Sequence, residues 1–272
     1  MWRSGAMDIE DILELFDQQL RIAIELPGVQ KETFPNLVRF VRPAPGMNFV
    51  QYSRLEEDVL DITIAEQIAY FAPMDQPFEW VVYDHDQPPA LKERLVAHGF
   101  VPDEPAALMV LDLQTAPSAL LEPLPAELRR LTRRDELEDV IAIEQQVWGG
   151  NFGWMRQRMG DHMEIPGYLS IFVAYVAQRP ACTGWTYFHP GSQFAGLWGG
   201  STLPEYRKRG LYSAVLAARV QEAIQRGYRF LTIEASPMSR PIVAGHGFQL
   251  LTMTESYGWK GRGDDKVTRR TG

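Results

Sequence analysis

Six residues with the sequence RKRGLY, Arg207–Tyr212, connect a strand-like segment to an amphipathic one. The preceding segment, 195–203 (AGLWGGSTL), contains aromatic and β-branched residues and is followed by Pro204, which has no N–H for a ladder hydrogen bond. After Gly210, apolar residues recur at helical spacing. They are Leu211, Ala214, Val215 and Ala218, while Arg219, Gln221 and Glu222 fall on the predicted polar face. The pattern predicts a strand, a basic turn and a helix that begins beside Gly210.

The predicted helix start is suited to an anionic ligand. Unpaired N–H groups and the positive end of the helix dipole point out of a helix N-terminus, and glycine lets a ligand approach the main chain. Arg207, Lys208 and Arg209 add positive side-chain charge. A basic turn before a helix is also typical of a solvated loop, so a phosphate site depends on the neighbouring segments.

Those segments carry a family resemblance. Residues 203–212 resemble the pyrophosphate-binding signature of the GNAT acyltransferase superfamily, Gln/Arg-x-x-Gly-x-Gly/Ala, in which Arg207 and Gly210 match and Tyr212 departs. Downstream, the strand-like segment 230–236 (FLTIEAS) and a short helix leading into Gly247-Phe248 resemble the next elements of that superfamily. The resemblance extends roughly from Glu127 to Trp259.

The resemblance implies an α/β (α+β) fold with a mixed, splayed central sheet flanked by helices. It implies a first strand at 127–132, a helix at 135–147 and strands near 169–177, 181–188 and 195–203. In this superfamily the fourth and fifth strands diverge, and their main chain binds the pantetheine arm of coenzyme A. The cofactor-binding set that follows is Ser201, Thr202, Leu203, Arg207, Lys208, Arg209, Gly210, Leu211, Tyr212, Ser213, Ser236 and Ser239. Since the amides bind the pyrophosphate, the Tyr212 ring must point away from it.

A second set of similar elements precedes residue 120. A strand-like segment 80–84, a helix 89–98, Gly99-Phe100 and an apolar run 108–113 repeat the order seen after residue 230. This repetition predicts two GNAT-like units: a degenerate N-terminal domain, 1–116, a linker, 117–126, and a catalytic domain, 127–272.

The N-terminal unit lacks the phosphate turn. No glycine lies between its strands 48–53 and 80–83, and the intervening helix begins among carboxylates: Glu56, Glu57, Asp58 and Asp61. Carboxylates stabilise a helix N-terminus but repel a pyrophosphate. We therefore expect this unit to have a scaffolding role and the chain to bind one coenzyme A.

The resemblance also implies direct attack of an amine on a thioester, which needs a base, an oxyanion donor and an acid. The oxyanion donor would be a main-chain N–H near Thr202 or Leu203. In many relatives a Tyr five residues before the Phe of Gly-Phe is the acid, but here that position is Val243. Tyr212 and Tyr257 are possible replacements, and the alternative for each is a half-buried structural aromatic.

Glu144 is the candidate base, because it precedes the loop 148–154 (WGGNFGW), where the superfamily has its acceptor site. Its alternative is an exposed helix carboxylate. Trp148, Phe152 and Trp154 are candidates to line an apolar acceptor pocket, and their alternative is packing against the N-terminal unit.

The composition of the chain restricts its functional class, its compartment and its binding partners. A chain of 272 residues with 45% hydrophobic content can form two modest cores, and its net charge of -8 argues against nucleic-acid binding. Cys182 is the single cysteine, which excludes an intramolecular disulfide and favours a reducing compartment. The sequence has no apolar run of about 18 residues and no Cys/His cluster with metal-ligand spacing. We expect a cytoplasmic monomer or homodimer without metal or membrane.

These observations predict an acetyl-CoA-dependent N-acetyltransferase that acts on a primary amine of a small molecule or peptide. One alternative, motivated by Val243, is a non-catalytic acyl-CoA-binding or regulatory module. The other is transfer of a longer acyl group, for which Gly199-Gly200 would leave space.

Overall fold

The computed structural model describes residues 7–44, 46–74, 76–124 and 127–259. The chain divides into two compact units. Within the described residues, the first comprises 7–108, 235–240 and 250–259, and the second comprises 109–234 and 241–249. Both units thus contain non-contiguous segments, whereas the sequence suggests contiguous domains; the limits 1–116, 117–126 and 127–272 stay a prediction.

Seven helices and twelve strands are named in chain order within the described residues. The helices are α1 (Ile9–Phe16), α2 (Leu60–Phe71), α3 (Leu91–Ala97), α4 (Leu137–Trp148), α5 (Trp154–Met163), α6 (Leu211–Gln225) and α7 (Arg240–Gly245). The strands are β1 (Gln30–Phe34), β2 (Leu37–Val41), β3 (Asn48–Ser53), β4 (Phe78–Tyr83), β5 (Val101–Pro102), β6 (Ala106–Asp112), β7 (Glu127–Arg130), β8 (Leu169–Val176), β9 (Arg179–Phe188), β10 (Phe194–Thr202), β11 (Phe230–Ala235) and β12 (Gln249–Trp259). The predicted elements of 127–259 are confirmed to within a few residues.

In the first unit, β1–β2–β3 form an antiparallel meander, β3 and β4 are parallel, and β4 pairs antiparallel with β12. The core between this sheet and its helices contains Leu60, Ile64 and Trp80, all fully buried. A π-helical segment, Asp17–Ile22, follows α1 and buries Arg21, whose guanidinium makes two 2.7 Å hydrogen bonds to the Asp86 carboxylate. The pair neutralises a charge that burial would otherwise disfavour strongly.

In the second unit the strand order is β6–β11–β10–β9–β8–β7. The strands from β7 to β10 are antiparallel, whereas β10 and β11 are parallel, so the sheet is mixed. Helices α4 and α6 both contact β9 and β10. Among the described residues, every helix is too short or too polar to cross a bilayer.

Candidate functional site

Strands β10 and β11 pair only over a short stretch. Phe194–Gly196 is in register with Phe230–Thr232, and beyond that point the two strands continue without pairing to each other. A parallel pair that separates leaves main-chain groups on the facing edges without a strand partner. This is the divergence that the resemblance implied for the fourth and fifth strands.

The main-chain N–H of Thr202 on β10 points into this opening. The register pairs Ser201 with Thr183 and Thr202 with Cys182 on β9. The Leu203 N–H donates to the Ala181 carbonyl at 3.0 Å. Hydrogen-bonding residues alternate along an antiparallel ladder, so the Thr202 N–H faces away from β9. Of the two predicted oxyanion donors, Leu203 is therefore wrong and Thr202 remains.

A bulge at Gly199-Gly200 separates the two registers of β10. Gly199 has φ +60°, and a Cβ there would collide with the Trp185 ring. A Cβ on Gly200 would lie 2.7 Å from Cε2 of Tyr212. Both glycines are therefore needed for two aromatic rings to lie directly against the strand.

The turn after β10 brings the basic residues to the start of α6. Gly210 is in the left-handed region with φ +76°, and the first turn of α6 contains no acidic residue. Arg207, Lys208, Arg209 and Gly210 are exposed. The Arg207 Nε donates to the Thr202 carbonyl at 3.2 Å, which ties the turn to the end of β10. The first amides of a helix have no intrahelical acceptor, so this start can bind an anion.

The ring of Tyr212 lies against β10. It packs on Gly200, and its centroid lies 6.1 Å from that of His246. Its phenol lies beside the Arg219 guanidinium. Burial raises the pKa of Tyr212 and the neighbouring Arg219 lowers it, with burial dominant, so the phenol keeps its proton at neutral pH. That this ring points away from a bound phosphate stays a prediction.

Arg219 is not on a polar face, as the sequence pattern suggested; it is fully buried. The guanidinium fits because Gly184 has no side chain: a Cβ there would lie 2.8 Å from the Arg219 Cζ. It donates to the carbonyls of Val215 and Trp198, each at 3.3 Å. Burial lowers its pKa. No helical periodicity distinguishes such an arginine from a solvated one.

Glu144 lies on the buried face of α4 and is 3% exposed. The alternative of an exposed helix carboxylate is therefore wrong. Burial raises its pKa to about 7, against the opposing effect of hydrogen bonds with Ser201 and Trp148. The Trp148 Nε1 also donates to the Ser201 hydroxyl at 2.9 Å. Oε1 has no hydrogen-bond partner among the described residues, so this carboxylate can accept a proton near neutral pH.

The sequence of this chain matches no model of a known protein family and no curated protein. Solved structures do match it. A GCN5-related N-acetyltransferase from Kribbella flavida superposes with a TM-score of 0.69 and 15% identity, over 92% of this chain and 95% of that one. A tandem GNAT protein from the clavulanic acid biosynthesis pathway gives 0.62 and 15%, over 97% of this chain and 91% of that one. This chain has the GNAT fold.

The predicted fold class is thus confirmed. A GCN5-related N-acetyltransferase from Sphaerobacter thermophilus gives a TM-score of 0.55 at 13% identity, over 92% of this chain and 84% of that one. The match to the tandem GNAT protein over nearly the whole chain is consistent with the predicted tandem arrangement.

In the first unit the equivalent opening of the GNAT fold is closed. Beyond the paired part of β3 and β4, Arg54 bridges to Gln87, and the Leu55 N–H donates to the Gln87 carbonyl at 3.1 Å. The Trp80 indole fills the space beside β3 and donates to the Ser53 hydroxyl at 3.1 Å. The first turn of α2 carries an acidic residue, Asp61. The single coenzyme A site per chain and the scaffolding role of the first unit stay predictions.

The three residues predicted to line the acceptor pocket lie in different environments. Phe152 is 3% exposed and belongs to the core of the second unit. Trp148 is 53% exposed, with its indole held by Ser201. Trp154 lines a small cavity of about 50 Å³ together with Arg158, Met159, Trp185, Tyr187 and Trp198. The loop predicted to form the acceptor site therefore contributes one wall of a cavity, and its role in acceptor binding stays a prediction.

The remaining predicted site residues have local partners. The Ser236 and Ser239 hydroxyls lie 3.1 Å apart before α7. Ser213 Oγ lies 3.1 Å from His246 Nε2, which leaves the Ser213 amide at the helix start. Leu211 is buried, so only its main chain is available there. Tyr257 is buried in the first unit and donates to the Glu255 carboxylate at 2.7 Å.

Two further observations concern α7 and the residue types that bind metals. Val243 is fully buried within α7 and offers no proton donor at the position where many relatives have Tyr. Within residues 7–44, 46–74, 76–124 and 127–259, no group of three or more His, Cys, Asp or Glu side chains is placed to hold a metal ion.

The burial of Glu144 predicts a pH-dependent effect on stability. Its pKa is about 7 in the folded protein against an ordinary value of 4.5, so the folded state favours the protonated form and loses stability as the pH rises from 4.5 through 7. Glu144→Gln should therefore gain stability relative to wild type over this range, by about 3 kcal/mol on the scale of 1.36 kcal/mol per pKa unit. Urea unfolding at pH 5 and pH 8 measures the gain.

Glu138→Gln is the matched control, since Glu138 lies on the same helix, is exposed and pairs with Arg156. That pairing lowers the pKa of Glu138, so its substitution should bring no such gain. A stability difference for Glu144→Gln that is the same at both pH values would show that Glu144 is not a buried, protonated group.

Proposed function

We propose that the protein is an acetyl-CoA-dependent N-acetyltransferase whose active site lies in the second unit. The main support for this proposal is the opening between β10 and β11. It leads to α6, a helix that has Gly210 as its N-cap and no acidic residue in its first turn. An extended donor with a polyanionic end is the ligand that such a surface suits. The acceptor is a primary amine of a small molecule or peptide.

Acetyl-CoA would be held mainly by main-chain groups. The amides of residues 209–213 would bind its pyrophosphate, with Arg207, Lys208 and Arg209 adding charge. The pantetheine arm would lie along the open edge of β10 near Ser201 and Thr202. The Thr202 N–H, which faces away from β9, would donate to the thioester oxygen as negative charge develops there.

Glu144 would be the base. The acceptor nitrogen attacks the thioester carbonyl carbon, the C–S bond breaks, and the nitrogen gives up a proton to the carboxylate, directly or through one water. A pKa of about 7 suits this role, because the group is substantially ionised at neutral pH and still binds a proton. Ser201 and Trp148 orient the carboxylate.

Tyr212 would return a proton to the coenzyme A thiolate. Its phenol is protonated at neutral pH, its ring lies against the bulge at Gly200, and Arg219 holds it.

The second candidate function, an acyl-CoA-binding module without turnover, is favoured by the buried Val243 at the usual acid position. Binding of acetyl-CoA without coenzyme A release across a broad amine panel would select it. The cytoplasmic location, the oligomeric state and the acyl-chain length stay predictions.

Gly210→Glu should abolish the phosphate site. The substitution puts a carboxylate at the start of α6, and we expect acetyl-CoA affinity to fall about tenfold or more. Gly227→Glu is the matched control, because Gly227 follows the other end of the same helix with nearly the same φ, +79° against +76°, and a Cβ at either position meets nothing within 4 Å. Calorimetry and thiol-detected coenzyme A release measure both variants. Equal affinity of the two variants for acetyl-CoA would contradict the placement of the pyrophosphate at this turn.

The pH profile tests the base. For wild type, kcat/KM should rise as the pH increases through about 7, since the carboxylate must lose its proton to act. Glu144→Gln should lower kcat/KM by about 100-fold or more and remove this inflection, leaving only the ionisation of the amine. Glu138→Gln should keep the wild-type profile. An inflection that persists unchanged in Glu144→Gln would assign the base to another group.

A further inference from the structure

The small cavity of the second unit adjoins the bulge of β10. Trp185, one of its walls, lies directly against Gly199, and Trp198, another wall, is the residue before the bulge. Trp185 and Trp198 also pack in the same core cluster as Val140 and Ile141 of α4, the helix that carries Glu144. The cavity therefore lies on the face of the sheet where the candidate base is located.

The size and walls of the cavity restrict what it can bind. Its volume of about 50 Å³ is one third of the roughly 150 Å³ of a cavity that admits benzene. Its walls are three indole rings, a phenol and a thioether, apart from one charged side chain. The Tyr187 hydroxyl is already bonded to the His162 Nδ1 at 3.0 Å. The cavity thus suits an apolar group of a few heavy atoms.

The one charged wall is a cation, Arg158. It is exposed, its guanidinium lies 5.6 Å from the centre of the Trp154 ring, and it has no carboxylate partner within the described part of the chain. Other arginines nearby differ: Arg156 on the same helix bonds to Glu138 at 2.6 and 2.8 Å, and Arg134 bonds to Asp161 at 2.7 Å. This wall of the cavity therefore repels cations and attracts a carboxylate.

We propose that the acceptor is an amine that also carries a carboxylate and a short aliphatic side chain, as in a small α-amino acid. Arg158 would bind the carboxylate, and the aromatic cavity would take the side chain. This inference rests on the proposed acetyltransferase function and names its acceptor class. It excludes a peptide N-terminus, whose α-carboxyl is an amide, and polyamines, which have no anionic group.

The test compares L-valine with L-valinamide as acceptors. The amide has the less basic amine and without carboxylate recognition would react at least as well, so the expected result is a preference for valine of about tenfold or more in kcat/KM. Arg158→Gln should raise the KM for valine about tenfold, with kcat little changed, and erase the preference, whereas Arg158→Lys should retain part of it. Arg156→Gln, on the same helix and away from the cavity, should behave as wild type. Equal or better use of valinamide by the wild type overturns the proposal, as does a preference that survives Arg158→Gln.

A binding measurement separates this inference from the proposed function. Because three tryptophans line the cavity, titration of the intrinsic fluorescence with valine or valinamide reports acceptor binding without acetyl-CoA. Coenzyme A release with valinamide but not valine would support the transferase and overturn the acceptor class. Failure to bind acetyl-CoA, with valine still quenching more strongly than valinamide in an Arg158-dependent way, would overturn the transferase and support carboxylate recognition. Quenching by neither compound, with valine inactive, would overturn the acceptor class.

Discussion

The bulge of β10 is the constraint on which the candidate site depends. Gly199 allows the Trp185 ring, and Gly200 the Tyr212 ring, to lie directly against the main chain, because a Cβ at either position would collide. Beyond the bulge, Ser201 bonds to Trp148 and the Thr202 hydroxyl donates to the Cys182 sulfur at 3.1 Å, so successive side chains face opposite sides of the sheet. One local irregularity thereby arranges the cavity, the candidate base and the candidate acid around the end of one strand.

Two ionisable groups, Glu144 and Arg219, are buried on the two sides of this strand. Glu144 has one unpartnered carboxylate oxygen, and Arg219 has one unpartnered nitrogen, within the described residues. Neither has an oppositely charged side-chain partner in the part of the chain that the structure describes, whereas Arg21 and Asp86 in the first unit neutralise each other. Burial without a counter-ion destabilises a folded chain, and such groups are concentrated where a perturbed pKa or an oriented charge serves binding or catalysis.

The positions of helices and strands that depend on local sequence patterns could be predicted from the sequence. Gly210 marked the start of α6, and the run before Pro204 marked β10, because periodicity and turn chemistry act over a few residues. The burial of Arg219 could not be predicted, since it depends on Gly184, a residue on another element that leaves space for the guanidinium. The closure of the first unit by Arg54 and Gln87 is also a tertiary contact between distant positions. Glu144 was chosen as the candidate base from its position before the aromatic loop. Its burial could not be predicted, because it depends on how α4 packs.

In the proposed function one opened strand edge, in the second unit alone, binds the acyl donor. Calorimetric titration of the whole chain with acetyl-CoA counts the sites that bind this donor. We expect one molecule bound per chain. Two molecules per chain would contradict the closure of the first unit, and no binding would contradict the assignment of the β10–α6 turn as a phosphate site.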